Sequence, residues 1–182
     1  AKGDTGFKLF SNAGDLTVTD ESTEKQGKIL LKTDNTGSSQ KGWCLLSLTT
    51  GSKFTLNNGT LRHETPQNGI CYVIDASGSI DITINGGSLE RNMITVMRLI
   101  ANANQVINFT MNGGKLEGKY GIWVQTSTGK INAIFNNGKF VATYTGGWTF
   151  ESDGGSAASV DDKIVINGGT YDSYFDLYGT ED

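Results

Sequence analysis

Two carboxylates come first among the residues whose type and spacing suit chemistry in this 182-residue chain. Glu90 and Glu117 stand one repeat apart, in a register shared with Arg62, Val141 and Asp172. Carboxyl groups about 5 Å apart can cleave a glycosidic bond with retention. Val141 interrupts that register, however, and Arg62 falls beside Glu90. The column therefore reads as a solvated face with an ordinary surface ion pair. His63 is the only histidine, which allows one base for a Ser–His–Asp site and no histidine-rich metal site. It lies in the polar run Arg62-His63-Glu64-Thr65-Pro66-Gln67-Asn68 and is expected at the surface. Asp153-Gly154-Gly155 and Asp161-Asp162 match neither the glycine-aspartate calcium nonapeptide nor an EF-hand loop. No metal and no cofactor are expected.

Cys44 and Cys71 are 27 residues apart and each begins an apolar run. Two readings stand, a disulfide between neighbouring coils and a buried stack of reduced thiols, with the stack preferred because the composition is not that of a disulfide scaffold. Counted back from the following corner glycine, Cys44, Tyr72, Leu99 and Trp123 align, as do Leu45, Val73, Ile100 and Val124. Neighbours on a strand point to opposite faces, so one column should face outward. An outward apolar stripe implies a partner or a covering segment such as Asp34–Lys41. Tyr72 and Trp123 on this stripe, with Arg62, Glu90 and Glu117 on the polar column, are the residues offered for binding.

These residues are positioned by a repeat. An eight-residue phrase recurs five times, as Phe54-Thr55-Leu56-Asn57-Asn58-Gly59-Thr60-Leu61 and in copies beginning at Ile82, Phe109, Ala133 and Ile164. The steps between copies are 28, 27, 24 and 31 residues. Alternation in its first half predicts a strand with one buried face. Asn followed by Gly or Asn-Gly predicts a sharp corner, since both tolerate positive φ. Upstream of each corner lies a second apolar run, and a shorter polar one follows it. Units of this length without a helical period predict a parallel β-solenoid. Asn57, Asn85, Asn112, Asn136 and Asn167 then form one column, read as an asparagine ladder. Thr55, Thr83 and Thr110 form another, too short for a regular ice-binding array once Ile134 and Val165 replace threonine.

The composition agrees. Only 36% of residues are apolar, and there are 25 glycines against one proline. That is thin for a central globular core but enough for a narrow column. The formal charge of −4 argues against nucleic acid as the main partner, and no apolar run is long enough for membrane insertion. The opening Ala1 is read as the start of a processed or excised segment. The chain is read as one solenoid domain, residues 1–182. Residues 1–41 give an N-terminal cap and first coil, 42–171 the regular coils, and 172–182 a cap or exit.

Gly14-Asp15-Leu16-Thr17-Val18-Thr19-Asp20 and Ile82-Thr83-Ile84-Asn85-Gly86-Gly87 resemble the right-handed parallel β-helix of the pectin-lyase-like superfamily. The likeness is to the short repeat domains of bacterial cell-surface and phage virion proteins, over roughly residues 14–171. It implies a right-handed, all-β solenoid of about six coils, located outside the cell on a bacterial surface or virion. Such a chain is expected to be a noncatalytic structural or recognition module that binds a glycan or a surface protein. It would be part of a longer chain or of a surface assembly. A polysaccharide lyase or hydrolase is the alternative the superfamily brings, and ice binding is a weaker one.

Overall fold

A computed structural model describes residues 8–32, 43–65, 71–125, 128–152 and 162–177. The described residues are all-β with no helix, and they form a parallel β-solenoid of three sheets. The first sheet has seven strands, β1 (Lys8–Asn12), β4 (Trp43–Thr49), β7 (Cys71–Ser77), β10 (Thr95–Ile100), β13 (Tyr120–Val124), β16 (Trp148–Ser152) and β19 (Tyr174–Leu177). The second holds β2 (Asp15–Val18), β5 (Lys53–Leu56), β8 (Ile80–Ile84), β11 (Val106–Met111), β14 (Lys130–Phe135) and β17 (Lys163–Ile166). The third holds β3 (Lys28–Lys32), β6 (Thr60–Glu64), β9 (Ser88–Arg91), β12 (Lys115–Gly118), β15 (Lys139–Ala142) and β18 (Thr170–Tyr171). Every strand pairs in parallel with the strand three places along the chain, so like residues stack.

The five phrases run from the second sheet through the corner into the third. Their alternation makes two inward columns, Leu16-Phe54-Ile82-Phe109-Ala133-Ile164 and Val18-Leu56-Ile84-Met111-Phe135-Ile166. After the corner, Ile29, Leu61, Leu89, Leu116, Phe140 and Tyr171 form the third. Each corner repeats one hydrogen-bond pattern, in which Asn85 N donates to Leu56 O and Asn112 N to Ile84 O, both at 2.8 Å. Phe135 gathers the core rings of the later coils, with ring centroids 5.4 Å from Phe109 and 5.3 Å from Phe175. Ala133, next to Phe109 in its column, leaves room for these rings.

About four turns, β4 through β15, have an interior that is almost wholly buried, against the total of about six coils expected with the capped ends. Among the described residues the windings at either end have a neighbour on one side only, and Leu16, Val18, Ile29 and Ile164 are half-buried.

The first sheet departs from strict alternation. Leu45 and Leu46, Val73 and Ile74, and Val96 and Met97 are consecutive pairs that both join the core. Pairing skips a residue at the same place, from Cys44↔Tyr72 to Leu46↔Ile74 and from Thr95↔Tyr120 to Met97↔Ile122. The preceding residues, Cys44, Tyr72 and Thr95, stay out of that core cluster although they too are buried.

Candidate functional site

On the third sheet, Arg62 pairs with Glu90, Glu90 with Glu117 and Glu117 with Val141. Glu90 is the hub of an ion network. Its carboxylate takes Arg62 Nη1 at 2.8 Å, Lys115 Nζ at 3.0 Å and the Ser88 hydroxyl at 2.8 Å. Lys115 also reaches Glu117 at 2.6 Å, and Arg62 reaches Glu64 at 2.6 Å. Burial alone would raise the Glu90 carboxyl, but hydrogen bonds from Arg62, Lys115 and Ser88 outweigh it and hold the group at about 2. A carboxylate so placed has no proton to give near neutral pH, which general acid catalysis requires.

The second sheet carries two amide ladders. Each ladder asparagine donates its Nδ2 to the Oδ1 one coil before, Asn85 to Asn57 at 2.9 Å, Asn112 to Asn85 at 2.9 Å, Asn136 to Asn112 at 2.8 Å and Asn167 to Asn136 at 2.7 Å. Asn57 closes the series on the Thr19 hydroxyl at 3.0 Å. A second, shorter ladder runs from Asn132 to Asn108 to Asp81, at 2.8 Å each. Thr17 extends the threonine column to four before Ile134 and Val165. Each of these amides commits one of its two Nδ2 hydrogens along the axis and holds coil to coil.

The first sheet corrects several expectations. Cys44 pairs with Tyr72, but Arg98 pairs with Trp123, and Leu99 lies between Ala76 and Val124 in the interior. The slip comes from connection length. Five residues separate β10 from β11, against two between β7 and β8, so counting back from the corner glycine lands four residues late. Asn104 takes positive φ in that longer connection. Cys71 pairs with Trp43 rather than with Cys44. The two buried thiols are therefore one step out of register, face different sides, and form neither a disulfide nor a direct stack.

Tyr72 is 1% exposed and is not available for binding. The Arg98 guanidinium lies 4.7 Å over its ring and holds Asp75 through two hydrogen bonds of 2.9 Å. Trp123, half-buried, stands 6.5 Å from Tyr72. The segment proposed to cover this stripe, Asp34–Lys41, lies outside the described residues, as do Pro66-Gln67-Asn68, Asp153-Gly154-Gly155, Asp161 and Tyr178. Asp162 accepts from Ile131 N at 2.7 Å.

His63 is buried rather than at the surface, because it follows Leu61 at the inward spacing of β6. Arg91, its partner on the next coil, is also buried. Tyr72 O, 3.1 Å from His63 Nδ1, can only accept, so Nδ1 carries the proton and donates. Arg91 donates to the carbonyls of Cys71 and His63 and to Asn92 Oδ1 at 3.0 Å. Burial, then the neighbouring Arg91, pushes His63 down to about 4. Alternation in Leu61-Arg62-His63 and Leu89-Glu90-Arg91 is the signal that places both inward.

The feature missed from the sequence lies where the third sheet turns into the first. Lys119 alone joins β12 to β13, whereas residues 143–147 join β15 to β16 and two residues join β18 to β19. The long turn overhangs the short ones beside it. It projects Tyr144, 64% exposed, and lines an open depression of about 500 Å³ with Thr143, Thr145, Asp172 and Ser173. Lys119 Nζ stands 4.8 Å over both the Tyr144 and Tyr120 rings. Tyr120 stacks on Trp148 at 4.7 Å, and Trp148 pairs with Tyr174, which is 54% exposed. Gly147 is needed here, since a Cβ would lie 2.0 Å from Lys119 O. The result is an aromatic shelf bearing one cation beside a hollow edged with hydroxyls and one carboxylate. Such a surface can hold a ring with one apolar face and a polar rim. The chain matches no protein-family model, no curated protein and no solved structure.

Proposed function

We propose that this chain is a noncatalytic recognition module of the pectin-lyase-like kind, displayed on a bacterial surface or virion, and that it holds a glycan in the depression beside Tyr144. The observation that carries the reading is the exposed Tyr144 ring with the half-buried Lys119 and Tyr120 at its side, backed by the buried Trp148, beside the hydroxyls of Thr143, Thr145 and Ser173. Pyranose rings offer C–H faces to aromatic rings and hydroxyls to polar rims, and this surface offers both complements. Asp172 and Lys119 favour neutral or mixed-charge sugars over strongly anionic ones. The competing reading, a polysaccharide lyase or hydrolase, draws no support from Glu90 and Glu117, whose carboxylates are taken up by Arg62 and Lys115.

A glycan array followed by calorimetry tests the proposal. Tyr144→Ala and Lys119→Ala should each weaken binding about tenfold, on the scale of one lost aromatic or cation contact, with the far-UV spectrum unchanged. Retention of no glycan, or binding indifferent to both substitutions, would overturn it. Release of unsaturated or reducing ends from a polysaccharide panel would replace it with the enzymatic reading.

A further inference from the structure

Among the described residues, each sheet ends in a strand with a neighbour on one side only, β1, β2 and β3 at one end and β17, β18 and β19 at the other. Such edges offer a row of backbone donors and acceptors. Both ends are also apolar. Phe10 is 45% exposed at the first, Ile166 is 50% exposed at the second, and Phe175 is half-buried there. We propose that the two ends are complementary and that a second copy of this chain stacks head to tail, laying β1–β3 on β17–β19.

The registers within the chain state which residues would meet. Continuing every column by one coil brings Leu16 onto Ile164, Val18 onto Ile166, Ile29 onto Tyr171 and Phe10 onto Phe175. The charged positions match as well. Asp15 and Lys163 head and close one column, Asp15↔Lys53↔Asp81↔Asn108↔Asn132↔Lys163, so they become neighbours across the junction. Asp172 arrives at the Leu30 position, flanked by Lys28 and Lys32, both exposed. The asparagine ladder has the right polarity too. Asn167 Nδ2 already donates to Asn136, which leaves Oδ1 facing outward, and the Thr19 hydroxyl of the next copy can donate to it. The contact joins different surfaces of identical chains and does not close on itself, so it builds a linear stack. Asp172 borders both this junction and the depression beside Tyr144, whereas Asp15 and Lys163 lie on the second sheet and do not line the depression, so variants at these two positions test stacking apart from the glycan reading.

Sedimentation velocity across a concentration series, with electron microscopy of the largest species, tests this. The chain should grow into linear species as concentration rises. Asp15→Lys and Lys163→Asp place like charges at the junction, and each should weaken association at least tenfold. Both positions are exposed, so far-UV spectra should not change. Mixing the two variants restores an opposite-charge pair at every alternating junction and should recover assembly. A chain monomeric to about 1 mM, assembly that ignores both substitutions, or a mixture that fails to recover would each overturn the proposal.

Discussion

The corner glycines allow strain and clash to be separated. Gly87 has φ +75°, and a Cβ there would lie 2.4 Å from Gly59 O, the oxygen that accepts from Ser88 N at 2.8 Å. Two penalties act on Gly87→Ala. A left-handed φ costs an L-residue about 1–2 kcal/mol. Forcing a methyl against backbone pinned by a coil-to-coil hydrogen bond adds about 1–3 kcal/mol. The loss should therefore be roughly 2–5 kcal/mol, a fall in urea midpoint of about 1 M or more. Gly51 is the control, because φ is +89° but the nearest atom to its Cβ is 3.7 Å away. Gly51→Ala should show the first penalty alone, about 1–2 kcal/mol. Gly14 has neither positive φ nor an atom within 4 Å, so Gly14→Ala should stabilise by about 0.4–1 kcal/mol. Urea titrations followed by circular dichroism and tryptophan fluorescence give the order. Equal losses for Gly87→Ala and Gly51→Ala would refute the argument that coils contact at the corner backbone.

His63 and Glu90 make stability depend on pH in separate windows. Unfolded, His63 takes a proton near 6.5, but folded only near 4, so stability should fall as pH drops between those values, by on the order of 3 kcal/mol in all. His63→Leu should flatten that slope in denaturation midpoints measured from pH 7 to 4, and an unchanged slope would count against a buried neutral imidazole. The Glu90 carboxyl is held at about 2 against an ordinary 4.5, so its contribution is complete above 4.5 and lost as pH falls toward 2. The network is partly open to water, which limits the loss in Glu90→Gln at pH 7 to about 1 kcal/mol, with the difference from the parent chain vanishing near pH 2.

What could be read from the amino acids alone was whatever repeats with every coil. The Asn-Gly corner and the alternation before it mark the second and third sheets, because each column satisfies itself with copies of the same residue. The first sheet was less legible for a matching reason. Residues 101–105 lengthen one connection and residues 125–129 the next, which moves the expected columns and sets Leu99 and Trp123 in the column of Tyr72. Cys44 and Cys71 were set side by side by the same counting, since a register step of one residue leaves coil length almost unchanged. His63 was read from its polar neighbours Arg62 and Glu64, although those alternate with it on β6 and face the other way.

A solenoid restricts where recognition can arise. A residue in a regular column is held between equivalents above and below, so its polar groups are spent on neighbours, as the Asn57–Asn167 ladder spends its amides. A site needs a position where adjacent coils stop matching. Lys119 as a one-residue turn beneath the five residues 143–147 is the largest such mismatch among the described turns between the third sheet and the first. That difference leaves Tyr144 with no equivalent to stack on and opens the hollow beside it. Shortening residues 143–147 to a single residue should abolish glycan binding while the ladders, the corner hydrogen bonds and the Phe135 core stay in place. The scaffold and the site are thus separable in this chain, because they depend on opposite properties of its repeat.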